Sequence, residues 1–290
     1  MFKGVLVAIV TPLRQGQVDT RALTELVEHQ IAQGTDGIVT CGTTGESATL
    51  TAVEQDLVLR TTLAVVKRRV PVIQGTGTNS TATTLQATQR AKELGADGAL
   101  VVTPYYNKPQ QHGLTAHFRT IARQGGLPLI LYNVPGRTGV HLAASTVEDL
   151  SHEPHIVGLK EATADLNLAT DLAARVSDRL VLLSGDDMTA YPFWHCGGQG
   201  VISVTSNIAP APMAKLWDLF TAGQYAEAQK LHQHLLKLNQ VMFLETNPAP
   251  VKACLGLMGR IDPELRSPLA SVTADHLQRL ETVLKEYQLL

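Results

Sequence analysis

The 290-residue chain is 44% hydrophobic and 17% charged, with a formal net charge of −2. That composition excludes a disordered chain, and the near-neutral balance excludes a basic surface built for nucleic acid or anionic lipid. Its three cysteines, Cys41, Cys196 and Cys254, are odd in number and widely spaced, so neither a disulfide framework nor a zinc-type pair is expected. The N-terminal MFKGVLVAIVTPL, interrupted by Pro12 and followed by Arg14, reads as a first strand rather than a signal peptide. No apolar stretch approaches the length of a bilayer span, and a cytoplasmic protein is expected.

Short apolar runs then recur at 5–10, 37–40, 70–73, 99–102, 127–131, 156–159, 180–183 and 200–204. Each is nearly continuous in hydrophobicity, as in parallel strands covered on both faces. Helical patterns separate them. In the first, Leu23, Leu26, Val27 and Ile31 share a face, Asp19 or Thr20 is placed to cap it, and Gly34 can end it in a left-handed turn. A weak repeat joins helix to strand: Gly34-Thr35-Asp36-Gly37, Gly95-Ala96-Asp97-Gly98 and, more loosely, Gly197-Gly198-Gln199-Gly200. Strand starts spaced about thirty residues apart or less have the size of a βα unit. Eight of them predict an α/β fold, a closed (β/α)8 TIM barrel over residues 1–224. An open doubly wound sheet is the competitor, and it lacks its dinucleotide fingerprint here. Over 225–290 the strand signal gives way to helices at 225–245, around 251–258 and at 273–290, punctuated by Pro248, Pro250, Pro263 and Pro268. This reads as a C-terminal helical extension packed on the barrel or on a partner subunit.

Barrel chemistry sits at the carboxyl ends of the strands, and unusual polar residues gather there. Lys160 follows the sixth run; burial at an apolar mouth favours amine over ammonium in general, and a free amine is the nucleophile that attacks a ketone. The alternative is a strand-end lysine that is solvated or paired with Glu161. Thr43 and Thr44 lie between Gly42 and Gly45, where backbone N–H groups and hydroxyls can face a carboxylate, or merely form a capped turn. Tyr132, Tyr106 and Thr43 can pass protons along a hydroxyl chain, or serve as packing residues. Arg137, after Pro135-Gly136, offers a fork for a substrate carboxylate or is a surface arginine. Asp186 and Asp187 are too few for a divalent metal site, and the ten histidines fall mainly away from the strand ends. His232 and His234 point to different helix faces and read as surface or packing residues.

Taken together, CGTTGE, GTGTN, VTPYYNKP, YNVPGRTG, GLKEAT and LSGDD, in this order, resemble the dihydrodipicolinate synthase family of pyruvate-dependent class I aldolases, over essentially the whole chain. The resemblance implies condensation of pyruvate with aspartate semialdehyde, on the route toward diaminopimelate and lysine. It implies that Lys160 forms an imine with pyruvate, that Thr43 and Thr44 hold the pyruvate carboxylate, and that Tyr132, Thr43 and Tyr106 relay protons, Tyr106 reaching across a tight dimer. It further implies that Arg137 receives the semialdehyde carboxylate, that Gly185 and Ile202 give backbone contacts, and that Asp186 contacts the second substrate. No metal or organic cofactor is implied, and the expected assembly is a tetramer of tight dimers. Related lyases acting on N-acetylneuraminate or 2-keto-3-deoxy sugar acids are the alternative; Thr44 and Arg137 favour the synthase, and a non-catalytic barrel fits least. Where lysine-inhibited members carry two histidines and a glutamate, this chain has Ala52, Gln55 and Thr83, although Ala48, Asn79 and Tyr105 remain, so weak or absent lysine feedback is expected.

Overall fold

Strands buried on both faces need apolar residues at every position, and this chain supplies them at eight places. In the computed structural model, which describes residues 2–290, the barrel strands are β1 (Gly4–Ala8), β2 (Gly37–Thr40), β3 (Val72–Gly75), β4 (Gly98–Val102), β5 (Leu129–Asn133), β6 (Ile156–Glu161), β7 (Val181–Ser184) and β8 (Gly200–Ser203). They close in the order β1-β8-β7-β6-β5-β4-β3-β2. Helices Thr20–Ala32, Ala52–Val66, Thr81–Leu94, Gln111–Gly125, Ala144–Leu150, Leu166–Val176, Ala190–His195 and Pro210–Thr221 follow the strands in turn. This is the (β/α)8 barrel that the run spacing predicts. No helix among the described residues is long and apolar enough to cross a membrane.

The residues form two compact groups, Pro71–Ile202 with the first residues of the chain, and Val5–Val70 with Ser203–Leu290. In the second group, Asp19 caps the first helix by accepting from Ala22 N at 3.0 Å. Gly34 ends that helix region at φ +87°. Asp36 then clamps the foot of β1: its Oδ2 accepts from Val5 N at 2.8 Å while its own N–H donates to Val5 O at 2.9 Å. In the first group, Asp97 does the same to β3, accepting from Val72 N at 2.8 Å and donating to Val72 O at 2.9 Å. The glycine-aspartate repeat therefore has a mechanical role, satisfying an entering strand's backbone. The looser copy uses backbone alone, with Gly4 N donating to Gln199 O at 3.0 Å.

Strand limits differ from the hydrophobic runs for physical reasons. The runs at 70–73 and 127–131 start before β3 and β5 because Pro71 and Pro128 have no N–H to give the ladder. At their carboxyl ends β3, β5 and β6 continue past the apolar residues, keeping Gln74, Tyr132, Asn133, Lys160 and Glu161 in the ladder, whereas β1 and β8 stop at Ala8 and Ser203, short of the ends of their runs. A small hairpin, Leu13–Arg14 with Gln17–Val18, has no counterpart in the sequence reading. Its turn residues Gln15 and Gly16 are both left-handed, at φ +53° and +77°, the conformation two-residue hairpin turns favour. The tail contains helices Tyr225–Val241, Ala249–Leu257 and Ala274–Glu286. Between the last two, Glu264 accepts from Gly16 N at 2.7 Å, tying the tail to the hairpin.

Candidate active site

Lys160 lies inside β6, in register with Tyr132 on β5 and Leu183 on β7. It is 6% exposed, and its Nζ stands 4.2 Å from the centroid of the Tyr132 ring. Gly185, just beyond β7, makes the room for it: a Cβ there would come within 3.0 Å of Lys160 Cε and 2.5 Å of Ala162 Cβ. Successive strand residues point to opposite faces, so Glu161 turns away. Its carboxylate accepts from Asn133 Nδ2 at 2.8 Å and from Thr163 N at 2.8 Å. Burial holds the Glu161 carboxyl above the usual carboxylate range, against those two bonds. No carboxylate pairs with Lys160 among the described residues. A buried amine beside a phenol ring, with no ion pair competing for it, is equipped to add to a carbonyl.

The other expected residues of this group fall around the same strand ends with different roles. Tyr132 is 6% exposed and is brought to Lys160. Tyr106, after β4, is 89% exposed and left-handed at φ +74°, and the chain does not bring it to Tyr132. Arg137 is exposed on the one-turn helix Pro135–Thr138. That turn is anchored from below by Thr138, whose single hydroxyl hydrogen faces Val134 O at 3.2 Å and Val140 O at 3.0 Å and whose Oγ1 accepts from Thr103 Oγ1 at 3.2 Å. Asn133 Oδ1 accepts from Leu142 N at 2.9 Å, closing the same loop. Asp186 accepts from Thr189 N at 2.9 Å and Thr189 Oγ1 at 2.7 Å, both through Oδ2. Ile202 is a fully enclosed residue of β8.

Thr43 and Thr44 belong to the second group, in the turn after β2. Gly45 N donates to Gly42 O and Glu46 N to Thr43 O, each at 3.1 Å. Thr44 is buried and its Oγ1 accepts from Asn247 Nδ2 at 2.9 Å. Glu46 is buried too, and its Oε1 accepts from Lys252 Nζ at 2.6 Å. Asn247 and Lys252 lie outside the motifs that point to the site. The available signal was Lys252 itself, the lone charge in the apolar helix APVKACLGL, since an unpartnered charge there is costly. Among the described residues, no cluster of three or more His, Cys, Asp or Glu could hold a metal ion.

A (β/α)8 barrel with a buried lysine on its sixth strand, beside a tyrosine on the fifth, fits the class of barrel lyases of class I aldolase type. The chain belongs to the dihydrodipicolinate synthetase family, whose model it matches over residues 1–287. It is 53% identical over 290 residues, all of both chains, to a 4-hydroxy-tetrahydrodipicolinate synthase of Citrifermentans bemidjiense. Among solved structures it is similar to the dihydrodipicolinate synthase of Thermotoga maritima, with a TM-score of 0.99 and 41% identity over 100% of each chain. It is likewise similar to the chloride-inhibited dihydrodipicolinate synthase of Acinetobacter baumannii complexed with pyruvate, with a TM-score of 0.98 and 44% identity over 100% of each chain.

Proposed function

We propose that this chain condenses pyruvate with L-aspartate 4-semialdehyde, the 4-hydroxy-tetrahydrodipicolinate synthase reaction of diaminopimelate and lysine biosynthesis. The observation that carries this reading is the buried Lys160, without a counter-charge and packed on Tyr132. Its amine adds to C2 of pyruvate and water leaves, giving an iminium. That cation withdraws electrons from the neighbouring methyl, which loses a proton to become an enamine. The enamine carbon attacks the aldehyde, whose oxygen takes up a proton. The substrate's own amine then adds at C2 and displaces Lys160 as the ring closes. One water is lost overall, and the electron sink is the iminium itself.

Tyr132, Thr43 and Tyr106 move the protons, and Thr43 and Thr44 take the pyruvate carboxylate. Arg137 receives the semialdehyde carboxylate with its exposed guanidinium. Gly185 and Ile202 present backbone to pyruvate. Asp186 meets the second substrate through Oδ1, its Oδ2 being engaged by Thr189. The exposure of Tyr106 supports its use by a neighbouring subunit, in a cytoplasmic tetramer of tight dimers. Borohydride reduction in the presence of pyruvate tests the reading: a stable adduct on Lys160 is expected, and its absence would sink the imine chemistry. Turnover with aspartate semialdehyde but not with N-acetylneuraminate separates the synthase from the related lyases.

A further inference from the structure

The Thr43–Thr44 turn is braced by residues from the far end of the chain. We propose that Asn247 and Lys252, on the helical tail, are positioning residues that set this turn to receive a carboxylate; the inference rests on the reading of the turn as the pyruvate carboxylate site. Asn247 Nδ2 donates to Thr44 Oγ1 at 2.9 Å. That bond occupies a lone pair and leaves the Thr44 hydroxyl hydrogen to donate, which is the polarity a carboxylate ligand requires.

Lys252 fixes the backbone of the same turn. Fully buried, its ammonium donates to Glu46 Oε1 at 2.6 Å and to Thr11 O at 2.9 Å. Arg266 N donates to Glu46 Oε2 at 2.9 Å, and Thr11 Oγ1 donates to Gly45 O at 2.8 Å. Glu46 and Cys41, at the two ends of the turn, are left-handed at φ +56° and +50°. Non-glycine residues hold that conformation only where surrounding contacts enforce it. The direction of one hydroxyl and the course of the turn are thus set by partners 203 and 206 positions away.

Asn247→Asp exchanges the donor for an acceptor, which turns the Thr44 hydroxyl toward the new carboxylate and away from substrate. The expected result is a KM for pyruvate raised about 10- to 100-fold, the loss of one charge-assisted hydrogen bond, with kcat within about threefold. In a Thr44→Val background the same substitution should add less than about twofold, because its effect travels through that hydroxyl. Lys252→Met/Glu46→Gln, which neutralises both buried groups together, provides a second variant and should also raise the pyruvate KM. A pyruvate KM within about twofold of wild type in the folded variants, or an undiminished Asn247→Asp effect in the Thr44→Val background, overturns the proposal. Borohydride trapping runs alongside. A wild type without adduct sinks the Schiff-base reading and this proposal with it, whereas an adduct with unchanged KM sinks the positioning role alone.

Discussion

Lys160 and Lys252 are both buried, at 6% and 0% exposure, yet their surroundings differ in one decisive respect. Lys252 has a carboxylate at 2.6 Å and a backbone carbonyl at 2.9 Å. Burial pulls its pKa below the ordinary lysine value, and the Glu46 charge pulls it back. Lys160 has an aromatic ring and the space left by a glycine. Burial therefore does not distinguish the two lysines; the counter-charge, present for Lys252 and missing for Lys160, does. A paired ammonium is committed to its carboxylate and holds structure in place, while a lysine without such a partner has no ion pair to break before it can react.

The comparison can be broken most directly at Lys160. Lys160→Ala should lower turnover by about 10⁴-fold or more, as expected of a lost covalent nucleophile, with little change in the unfolding midpoint. Retained turnover in a steady-state assay would make the two lysines equivalent after all. Lys252→Met should behave oppositely in stability, costing about 3–5 kcal/mol in denaturant titration because it strands the Glu46 charge. Lys252→Met/Glu46→Leu, which removes both charges, should recover most of that loss.

A third buried base sharpens the contrast. His117 is 4% exposed, its Nδ1 lies 2.9 Å from Thr81 Oγ1, and burial pulls its pKa from 6.5 down to about 4. Between those values the unfolded chain binds a proton that the folded chain does not, so stability falls as pH falls through this window. The loss should reach about 3 kcal/mol at the acid end. His117→Asn should flatten that slope in denaturant titrations between pH 7 and 4; an unchanged slope would assign the acid sensitivity elsewhere.

The smallest expected effect concerns regulation. Ala52 and Thr83 offer an ammonium no carboxylate, and Gln55 donates its amide to Ser47 O at 3.1 Å. Millimolar lysine should change the rate by less than about twofold, and strong inhibition at micromolar lysine would overturn this.

Much of the barrel is legible in the sequence, because its signals are local. A run of β-branched residues, a glycine at a helix end and an aspartate at a strand foot each act within a few positions. The strand ends were legible less well, since Tyr132 and Lys160 break the hydrophobic pattern while remaining in the ladder. The candidate nucleophile and the threonine turn stood out as polar residues where apolar ones end. Tyr106 is different: its sequence context points to the site, yet the fold of the single chain leaves it 89% exposed.

By itself the sequence determined the eight βα units, the tail helices and the residue types at the barrel mouth, because periodicity, capping and turn chemistry are short-range. Only the tertiary structure decided which buried lysine has a partner, that Glu46 is held by Lys252, and that Asn247 reaches Thr44. Those choices depend on which side chains meet across 203 or 206 positions of chain, and no local pattern encodes a contact that forms only when the barrel and its tail have packed.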